Sequence, residues 1–382
     1  MQGNNGMLEA DGVDAARHRR ARASGRAPAR GASLAARLAA VALVAGMGAL
    51  ALQGCAFRAA TGGDVARELR GGTDLATLAG GIAPDAAAGR YEIEVREFDW
   101  YDAARGRTVP ARLYVPRDAK RVPLVVFSHG LGGSRFGYSH LGRHWASHGI
   151  ASLHLQHAGS DRSVWSSQGL AVLTALRAAA TTDNAIARVK DVSFAIDRTL
   201  AEPALAEAID AQRIGIAGHS FGANTALLAA GARFREDGKV LSFADPRVRA
   251  AIVLSAPSLP AEQDPSFVYS GILVPTLHLT GTLDATPIPG LSTTPEERRV
   301  PFDSMATGPR YLGIFEGGRH SMFNDWSRDG TTEAIRSSAR ALTLAFWRSV
   351  FERDAGASAV LDAPGQRAPT VAATLTTWEA RR

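Results

Sequence analysis

Short apolar segments with the periods of β-strands recur along the chain from residue 91 onward. Residues 91–96 alternate apolar and charged side chains, and residues 108–116 follow after a turn, which together predict an antiparallel hairpin at a sheet edge. Continuous apolar runs are typical of strands buried on both faces. These runs predict strands at residues 122–127, 150–155, 214–217, 250–254, 275–280 and 311–315.

Helical patterns separate these strands. They cover residues 138–148, 170–202 with a break, 224–230 and 332–351. The alternation predicts the α/β class, with one mostly parallel, doubly wound sheet in a single domain over residues 91–352. Residues 353–382 contain Pro364, Gly365 and Pro369 and predict a loop-like C-terminal tail, whose segment around 375–378 docks back on the domain.

The chain before residue 91 has a different character. Seven arginines precede an apolar run at residues 38–52, which suits the core of a signal peptide. The junction Leu52-Gln53-Gly54-Cys55 resembles the lipobox of bacterial lipoproteins, in which cleavage before the cysteine allows its thiol to be diacylated. We expect residues 1–54 to be a lipoprotein signal peptide, Cys55 to be lipidated, and the Gly- and Ala-rich residues 55–90 to be a flexible tether. The alternative is an ordinary buried cysteine after a signal peptide or short anchor.

The distribution of charge gives no support to a nucleic-acid partner. The formal net charge is +6, of which the seven arginines of residues 1–54, against Glu9, Asp11 and Asp14, contribute +4. The composition, 46% hydrophobic and 21% charged, is that of an ordinary globular protein. The single cysteine excludes an intramolecular disulfide and a thiolate metal cluster. We expect no metal, no cofactor and no nucleic acid, and a lipid-anchored location in the bacterial cell envelope, at the outer membrane facing the periplasm or the exterior.

The segment Gly218-His219-Ser220-Phe221-Gly222 lies between a predicted strand and a predicted helix. This arrangement indicates a nucleophile elbow, in which a strained turn presents a serine hydroxyl and the small flanking residues allow neighbouring backbone to approach. A serine in this position is a candidate nucleophile, but it needs a base and an orienting acid.

Candidates for both partners follow in the chain order serine, acid, histidine. Asp284 follows the strand predicted at 275–280, and His320 follows the strand predicted at 311–315. Asp303 and Asp325 are alternative acids. Of the remaining histidines, His157 at a strand end is the one expected near the site.

Stabilisation of a tetrahedral intermediate also needs hydrogen-bond donors for its oxyanion. One is expected to be the backbone N–H of Phe221, directly after the serine. The other is expected from the glycine-rich loop after strand 122–127, at Leu131.

Three segments carry a resemblance to a known superfamily: Phe127-Ser128-His129-Gly130-Leu131-Gly132-Gly133, Ala146-Ser147-His148-Gly149-Ile150 and Gly218-His219-Ser220-Phe221-Gly222. They resemble the α/β-hydrolase group that contains platelet-activating-factor acetylhydrolases, dienelactone-hydrolase-like proteins and bacterial cutinase-like polyesterases. The resemblance spans roughly residues 91–350. It implies an α/β-hydrolase fold, a Ser220, His320 and Asp284 triad, and oxyanion donors at Leu131 and Phe221.

The sequence also departs from each of these relatives. Where the acetylhydrolases carry their acid, this chain has Ser255-Ala256-Pro257, so the acid would be Asp284, as in cutinase-like enzymes. Cutinase-like enzymes usually have methionine where this chain has Phe221, and dienelactone hydrolases use a cysteine where it has Ser220.

The stretch between Ser255 and Val274 is too short for a large lid, which favours an open site for an exposed ester. The sequence therefore predicts a serine hydrolase that cleaves carboxylic esters of small-molecule or lipid-like substrates through an acyl-enzyme. Within that class, phospholipid acetyl esters and polyesters are the alternative substrates. An envelope lipoprotein that uses the fold only for binding is the alternative outside it.

Overall fold

A computed structural model of the protein describes residues 87–167, 171–286, 288, 291–326 and 329–382. The predicted signal peptide, Cys55 and most of the predicted tether lie outside these residues. Among the described helices, none is both long and apolar enough to cross a bilayer.

The described strands form one large sheet and one separate hairpin. They are β1 (Ile93–Asp102), β2 (Arg107–Pro116), β3 (Val122–Ser128), β4 (Ala151–Leu155), β5 (Ile209–His219), β6 (Arg233–Glu236), β7 (Lys239–Ser242), β8 (Val248–Leu254), β9 (Thr276–Leu283), β10 (Arg310–Arg319) and β11 (Leu375–Arg381). The nine-stranded sheet has the order β1-β2-β4-β3-β5-β8-β9-β10-β11, and β6 pairs with β7.

Helices of very different lengths connect the strands. They are α1 (Ser139–Ser147), α2 (Ala171–Ala179), α3 (Thr182–Ala201), α4 (Pro203–Ala208), α5 (Phe221–Ala230), α6 (Pro265–Tyr269), α7 (Val300–Ser304), α8 (Gly330–Phe351), α9 (Ala355–Asp362), α10 (Pro364–Arg367) and α11 (Pro369–Ala372). Short 3₁₀ turns occur at Arg162–Ser166 and Glu297–Arg299.

The central strands β4, β3, β5, β8, β9 and β10 run parallel to one another. Within the nine-stranded sheet, the antiparallel pairs are β1 with β2, β2 with β4, and β10 with β11. The predicted α/β class, the mostly parallel sheet and the antiparallel N-terminal hairpin are confirmed. Because parallel strands end at the same edge, the loops that follow β3, β5, β9 and β10 lie along one side of the sheet.

The sheet separates two hydrophobic cores. Along β3, Leu124 and Val126 pack into one core while Val125 and Phe127 pack into the other, as the alternation of side chains along a strand requires. Buried residues of α3 and α5 cover the first core, and buried residues of α1 and α8 cover the second. Burial on both faces explains why these strands are continuous apolar runs.

The structure differs from the sequence-based prediction in two segments. The tail predicted to be loop-like contains the helices α9, α10 and α11 and ends in β11, which pairs antiparallel with β10. Residues 375–378, which were predicted to dock on the domain, are therefore part of a complete strand. The hairpin of β6 and β7, between α5 and β8, was not predicted.

Candidate active site

Ser220 occupies the sharp turn between β5 and α5. Its backbone has φ 54° and ψ −120°, a conformation that non-glycine residues rarely adopt. Its N–H donates to the carbonyl of Leu254 at 2.9 Å, which fixes the turn to the end of β8. The turn therefore has the backbone strain that a nucleophile elbow requires.

Two glycines allow the elbow to pack tightly. A β-carbon on Gly218 would lie 2.0 Å from the carbonyl oxygen of Gly222. A β-carbon on Gly222 would lie 1.9 Å from the carbonyl oxygen of Ser128, at the end of β3. Only glycine fits at either position without movement of the backbone.

The structure brings Ser220, His320 and Asp284 into one hydrogen-bonded row. His320 Nε2 lies 3.0 Å from Ser220 Oγ, and His320 Nδ1 lies 2.8 Å from Asp284 Oδ1. Each of the three directly follows the last residue of its strand, β5, β10 and β9 respectively. An Nδ1–H donated to Asp284 leaves Nε2 free to accept the hydroxyl proton of Ser220.

The alternative acids lie elsewhere. Asp303 pairs with Arg299 and Arg381, and Asp325 accepts hydrogen bonds from the backbone N–H groups of Ser139 and His140. Asp284 is the carboxylate that contacts His320.

Asp284 is fully buried and is ionised in this environment. Burial opposes its charge, but the hydrogen bond from His320 and the positive charge of Arg298 outweigh that effect and hold the pKa of Asp284 well below its usual value. Its other oxygen accepts a hydrogen bond from Thr280 Oγ1 at 2.8 Å. The carboxylate is therefore fixed on both sides.

Arg298 was not predicted to be a site residue. Its guanidinium is buried, and its Nε lies 3.2 Å from Asp284 Oδ1. It also donates to the carbonyls of Ser255 and Ala256 at 3.1 and 2.8 Å. Arg298 thus fastens the acid to the end of β8. It follows two glutamates and precedes another arginine, a pattern typical of a solvated turn, so the sequence carries no signal for this role.

His219 connects the elbow to the loop of His320. Its Nε2–H donates to the carbonyl of His320 at 2.9 Å, and its Nδ1 accepts the hydroxyl proton of Tyr138 at 2.8 Å. Burial lowers the pKa of His219 well below its usual value, so the ring is neutral, as these two bonds require. The residue before the candidate nucleophile therefore positions the candidate base.

The loop that contains Leu131 lies against the elbow. A β-carbon on Gly130 would lie 3.4 Å from Cβ of Ser220. The N–H of Gly132 donates to the carbonyl of Ser160, and the carbonyl of Gly132 accepts from Trp165 Nε1, both at 2.9 Å. Within the described residues, neither the Leu131 N–H nor that of Phe221 at the start of α5 has a hydrogen-bond acceptor. Both groups are thus available to a ligand.

His157 lies behind this loop and does not contact Ser220. Its Nε2 is 3.0 Å from Ser128 Oγ, and its Nδ1 is 3.0 Å from Asp191 Oδ2. This row repeats the atoms of the row at Ser220, but all three side chains are fully buried. No substrate can reach Ser128, so the second row is part of the scaffold.

A small apolar cluster borders the site. Leu131 and Ile288, which lie on the loops after β3 and β9, pack against the buried residues Val164, Leu176 and Ala179. Within the described parts of the chain, no group of three or more His, Cys, Asp or Glu residues is suited to hold a metal ion.

Comparison with known proteins shows a family to which this chain is similar. A family model described as Platelet-activating factor acetylhydrolase, isoform II, matches residues 109–170 and 162–282. The match includes Leu131 and the whole elbow around Ser220, and it ends just before Asp284. No curated protein matches the chain. The chain is therefore a hydrolase of the ester-cleaving class with an α/β-hydrolase fold, similar to the platelet-activating factor acetylhydrolase family.

Proposed function

We propose that this protein hydrolyses carboxylic esters through an acyl-enzyme formed on Ser220. The observation that carries the proposal is the unbroken hydrogen-bonded row from Ser220 Oγ through His320 to the buried carboxylate of Asp284. A serine hydroxyl is a weak nucleophile at neutral pH, and such a row is the arrangement that activates it.

In the acylation step, Ser220 Oγ attacks the ester carbonyl carbon while its proton moves to Nε2 of His320. Asp284 stabilises the imidazolium that forms. The N–H groups of Leu131 and Phe221 donate to the oxyanion of the tetrahedral intermediate. The intermediate then collapses, the bond to the alcohol oxygen breaks, and the alcohol leaves with the proton from His320.

Deacylation repeats these events with water. His320 takes a proton from the water, whose oxygen attacks the acyl carbon. Collapse of the second intermediate breaks the bond to Ser220 Oγ, which recovers its proton from His320, and releases the carboxylic acid. The same two backbone N–H groups serve both intermediates.

Within this class we favour a short acyl ester on a lipid-like alcohol, such as a phospholipid acetyl ester. The match to the acetylhydrolase family supports this substrate. The apolar cluster at Leu131 and Ile288 offers a surface for an apolar group beside the reacting serine. Polyesters are the second candidate. The proposed acid follows β9 and not β8, and in this position the sequence resembles the cutinase-like enzymes.

Labelling with a fluorophosphonate probe tests the reaction. The wild-type protein is expected to label on one serine, and Ser220→Ala is expected to abolish the labelling. Ser266→Ala, an exposed serine in α6, is the matched control and should label as wild type. A folded wild-type protein that does not label would support the non-catalytic lipoprotein instead.

A panel of p-nitrophenyl esters tests the substrate class. We expect the highest kcat/KM with acetate and a steady fall toward octanoate, and we expect a phospholipid with an sn-2 acetyl group to be cleaved faster than its long-chain counterpart. Release of soluble products from a polyester film at a higher rate than cleavage of the acetyl phospholipid would favour the cutinase-like alternative.

We also propose that the chain is anchored in the cell envelope through a lipid on Cys55, which lies outside the described residues. The lipobox-like sequence before Cys55 supports this. Metabolic labelling with an alkynyl fatty acid should modify the wild type, and Cys55→Ser should abolish the modification and release the protein from the membrane fraction. Equal membrane retention of both forms would refute the anchor.

A further inference from the structure

Arg188 in α3 is fully buried beneath the candidate active site. Among the described residues it has no carboxylate within salt-bridge distance, and its hydrogen bonds go to neutral oxygens. Burial lowers its pKa to about 9, which still leaves the guanidinium charged at neutral pH. Burying such a cation is costly, so its position calls for an explanation beyond packing.

One end of the guanidinium holds the loop of Leu131. Its Nη2 donates to the carbonyl of His129 and, at 3.0 Å, to Ser128 Oγ. Its Nη1 donates to Ser160 Oγ at 2.8 Å. The carbonyl of Ser160 in turn accepts the N–H of Gly132. The cation therefore contacts the segment just before Leu131 and the residue that anchors the segment just after it.

The other end holds the start of α5. Arg188 Nε donates to Thr225 Oγ1 at 3.0 Å, and the guanidinium carbon lies 4.7 Å from the ring centroid of Phe221. Thr225 Oγ1 also donates to the carbonyl of Phe221 at 3.2 Å. The residue whose N–H is the second proposed oxyanion donor is thus held through both its ring and its carbonyl.

The buried row behind the loop fixes the cation itself. Ser128 Oγ accepts from Arg188 and donates to His157 Nε2, and His157 Nδ1–H donates to Asp191. Asp191 also forms ion pairs with Arg105 and Arg107, each at 2.8 Å. The guanidinium is therefore held by a network that reaches the β1 to β2 hairpin.

We infer that Arg188 is the positioning residue of the oxyanion hole, because its guanidinium sets the spacing between the Leu131 loop and the Phe221 end of α5. This inference rests on the proposed ester hydrolysis. The two donors belong to segments that are far apart in sequence, so their separation depends on contacts between the segments. Two donors stabilise an oxyanion only when both reach the same oxygen at about 2.7–3.1 Å. A small change in their spacing therefore reduces the stabilisation of the transition state more than it reduces the affinity for the substrate.

The test compares Arg188→Met and Arg188→Lys with the wild type on a soluble p-nitrophenyl ester. Arg188→Met removes the charge and all the hydrogen bonds, and we expect kcat to fall about 100-fold while KM changes less than about twofold. Arg188→Lys keeps the charge but lacks the planar fork, so we expect a partial loss of about tenfold. Fluorophosphonate titration of the active sites normalises each rate to folded, reactive protein.

The second readout is the affinity for a trifluoromethyl ketone analogue of the ester, which forms an oxyanion on Ser220. A purely structural role would lower the active fraction but leave this affinity and the normalised kcat unchanged. Our inference predicts that the inhibition constant rises by the same factor by which kcat/KM falls. Unchanged affinity in a folded Arg188→Met protein would overturn it.

Thr225→Val decides the question if the Arg188 variants do not fold. It removes one acceptor from the guanidinium at nearly constant volume, and we expect about a three- to tenfold fall in kcat at constant KM. Thr199→Val in α3 is the matched control, because Thr199 is equally buried but donates to its own helix at Ala195. Wild-type kcat in Thr225→Val would overturn the inference. A wild-type protein that neither labels nor cleaves esters would instead refute the proposed function.

Discussion

At the scale of single residues, the backbone of Ser220 is strained, and contacts with the surrounding elements hold it in this conformation. A non-glycine residue with the backbone conformation of Ser220 costs about 1–3 kcal/mol and persists only where the surroundings enforce it. Here β5 and α5 fix both ends of the turn, and the hydrogen bond to Leu254 holds its middle. The turn places Ser220 Oγ within reach of His320, which a regular strand or helix would not do.

Gly222→Ala tests the close packing of the elbow. Its new methyl group would overlap the carbonyl of Ser128, so α5 and the end of β3 must separate. We expect the free energy of unfolding to fall by about 3 kcal/mol and the esterase rate to fall at least about 100-fold. Gly330→Ala is the control, because nothing lies near its would-be β-carbon. Chemical denaturation measures the free energy of unfolding of both variants, and equal stability of the two would contradict the packing argument.

Asp284→Asn tests the ionised acid. An amide has no negative charge to stabilise the imidazolium, and its NH2 can donate to His320 Nδ1 and so favour the wrong tautomer. We therefore expect kcat to fall about 10³- to 10⁴-fold. Asp303→Asn, in an ion pair near the surface, should leave kcat within about threefold of wild type. Similar losses in both variants would show that Asp284 has no special role.

The lowered pKa of Asp284 also predicts a pH dependence of stability. Because the folded pKa lies below the unfolded value of about 3.9, ionised Asp284 stabilises the fold above that pH, and this contribution is lost as pH falls through the folded pKa. The difference in unfolding free energy between wild type and Asp284→Asn should therefore be constant above about pH 5 and shrink in more acidic solution. A difference that grows on acidification would contradict the direction of the shift.

At the scale of elements, the hydrophobic pattern predicted the buried strands and the half-exposed β1 to β2 hairpin, but it missed the β6 to β7 hairpin. Buried runs such as β3 and β8 are continuous because both faces are covered. The β6 and β7 hairpin has short, partly charged strands, so the apolar pattern is absent. Its turn signal was present, however. Asp237 and Gly238 have φ 48° and 74°, as the hairpin turns favoured by Asp-Gly require.

Trp378→Ala tests the contribution of β11, the strand that covers β10 and thereby the segment leading to His320. The indole stacks on Tyr311 with ring centroids 6.0 Å apart, and its Nε1–H donates to the carbonyl of Leu361 at 2.9 Å. The indole is half-buried, so we expect Trp378→Ala to lower the free energy of unfolding by about 2–3 kcal/mol. Trp326→Ala, with Trp326 74% exposed, should change it by less than about 0.5 kcal/mol. Equal effects of the two substitutions would show that β11 adds little.

At the scale of the whole molecule, parallel strands explain how distant residues meet. The proximity of Ser220, Asp284 and His320 was predictable because each follows a recognisable buried strand, and parallel strands end at one edge of the sheet. Arg188 and Arg298 were not predictable, because their partners are mostly backbone carbonyls and hydroxyls contributed by several segments. Arg188 does leave a trace, since it lies on the buried stripe of α3 beside Val189.

The extent of the folding unit can be tested by removing the first 86 residues. Residues 87–91 already attach to the end of α1, because the N–H groups of Gly89 and Tyr91 donate to Ser147 at 2.9 and 3.0 Å. The sheet and the residues of the proposed mechanism lie beyond that point. We expect residues 87–382 to keep kcat/KM within about twofold of the full chain on a soluble ester. A chain that starts at residue 93 should melt at a lower temperature, because it loses both bonds to Ser147. An unfolded or inactive 87–382 protein would place the start of the folding unit before residue 87.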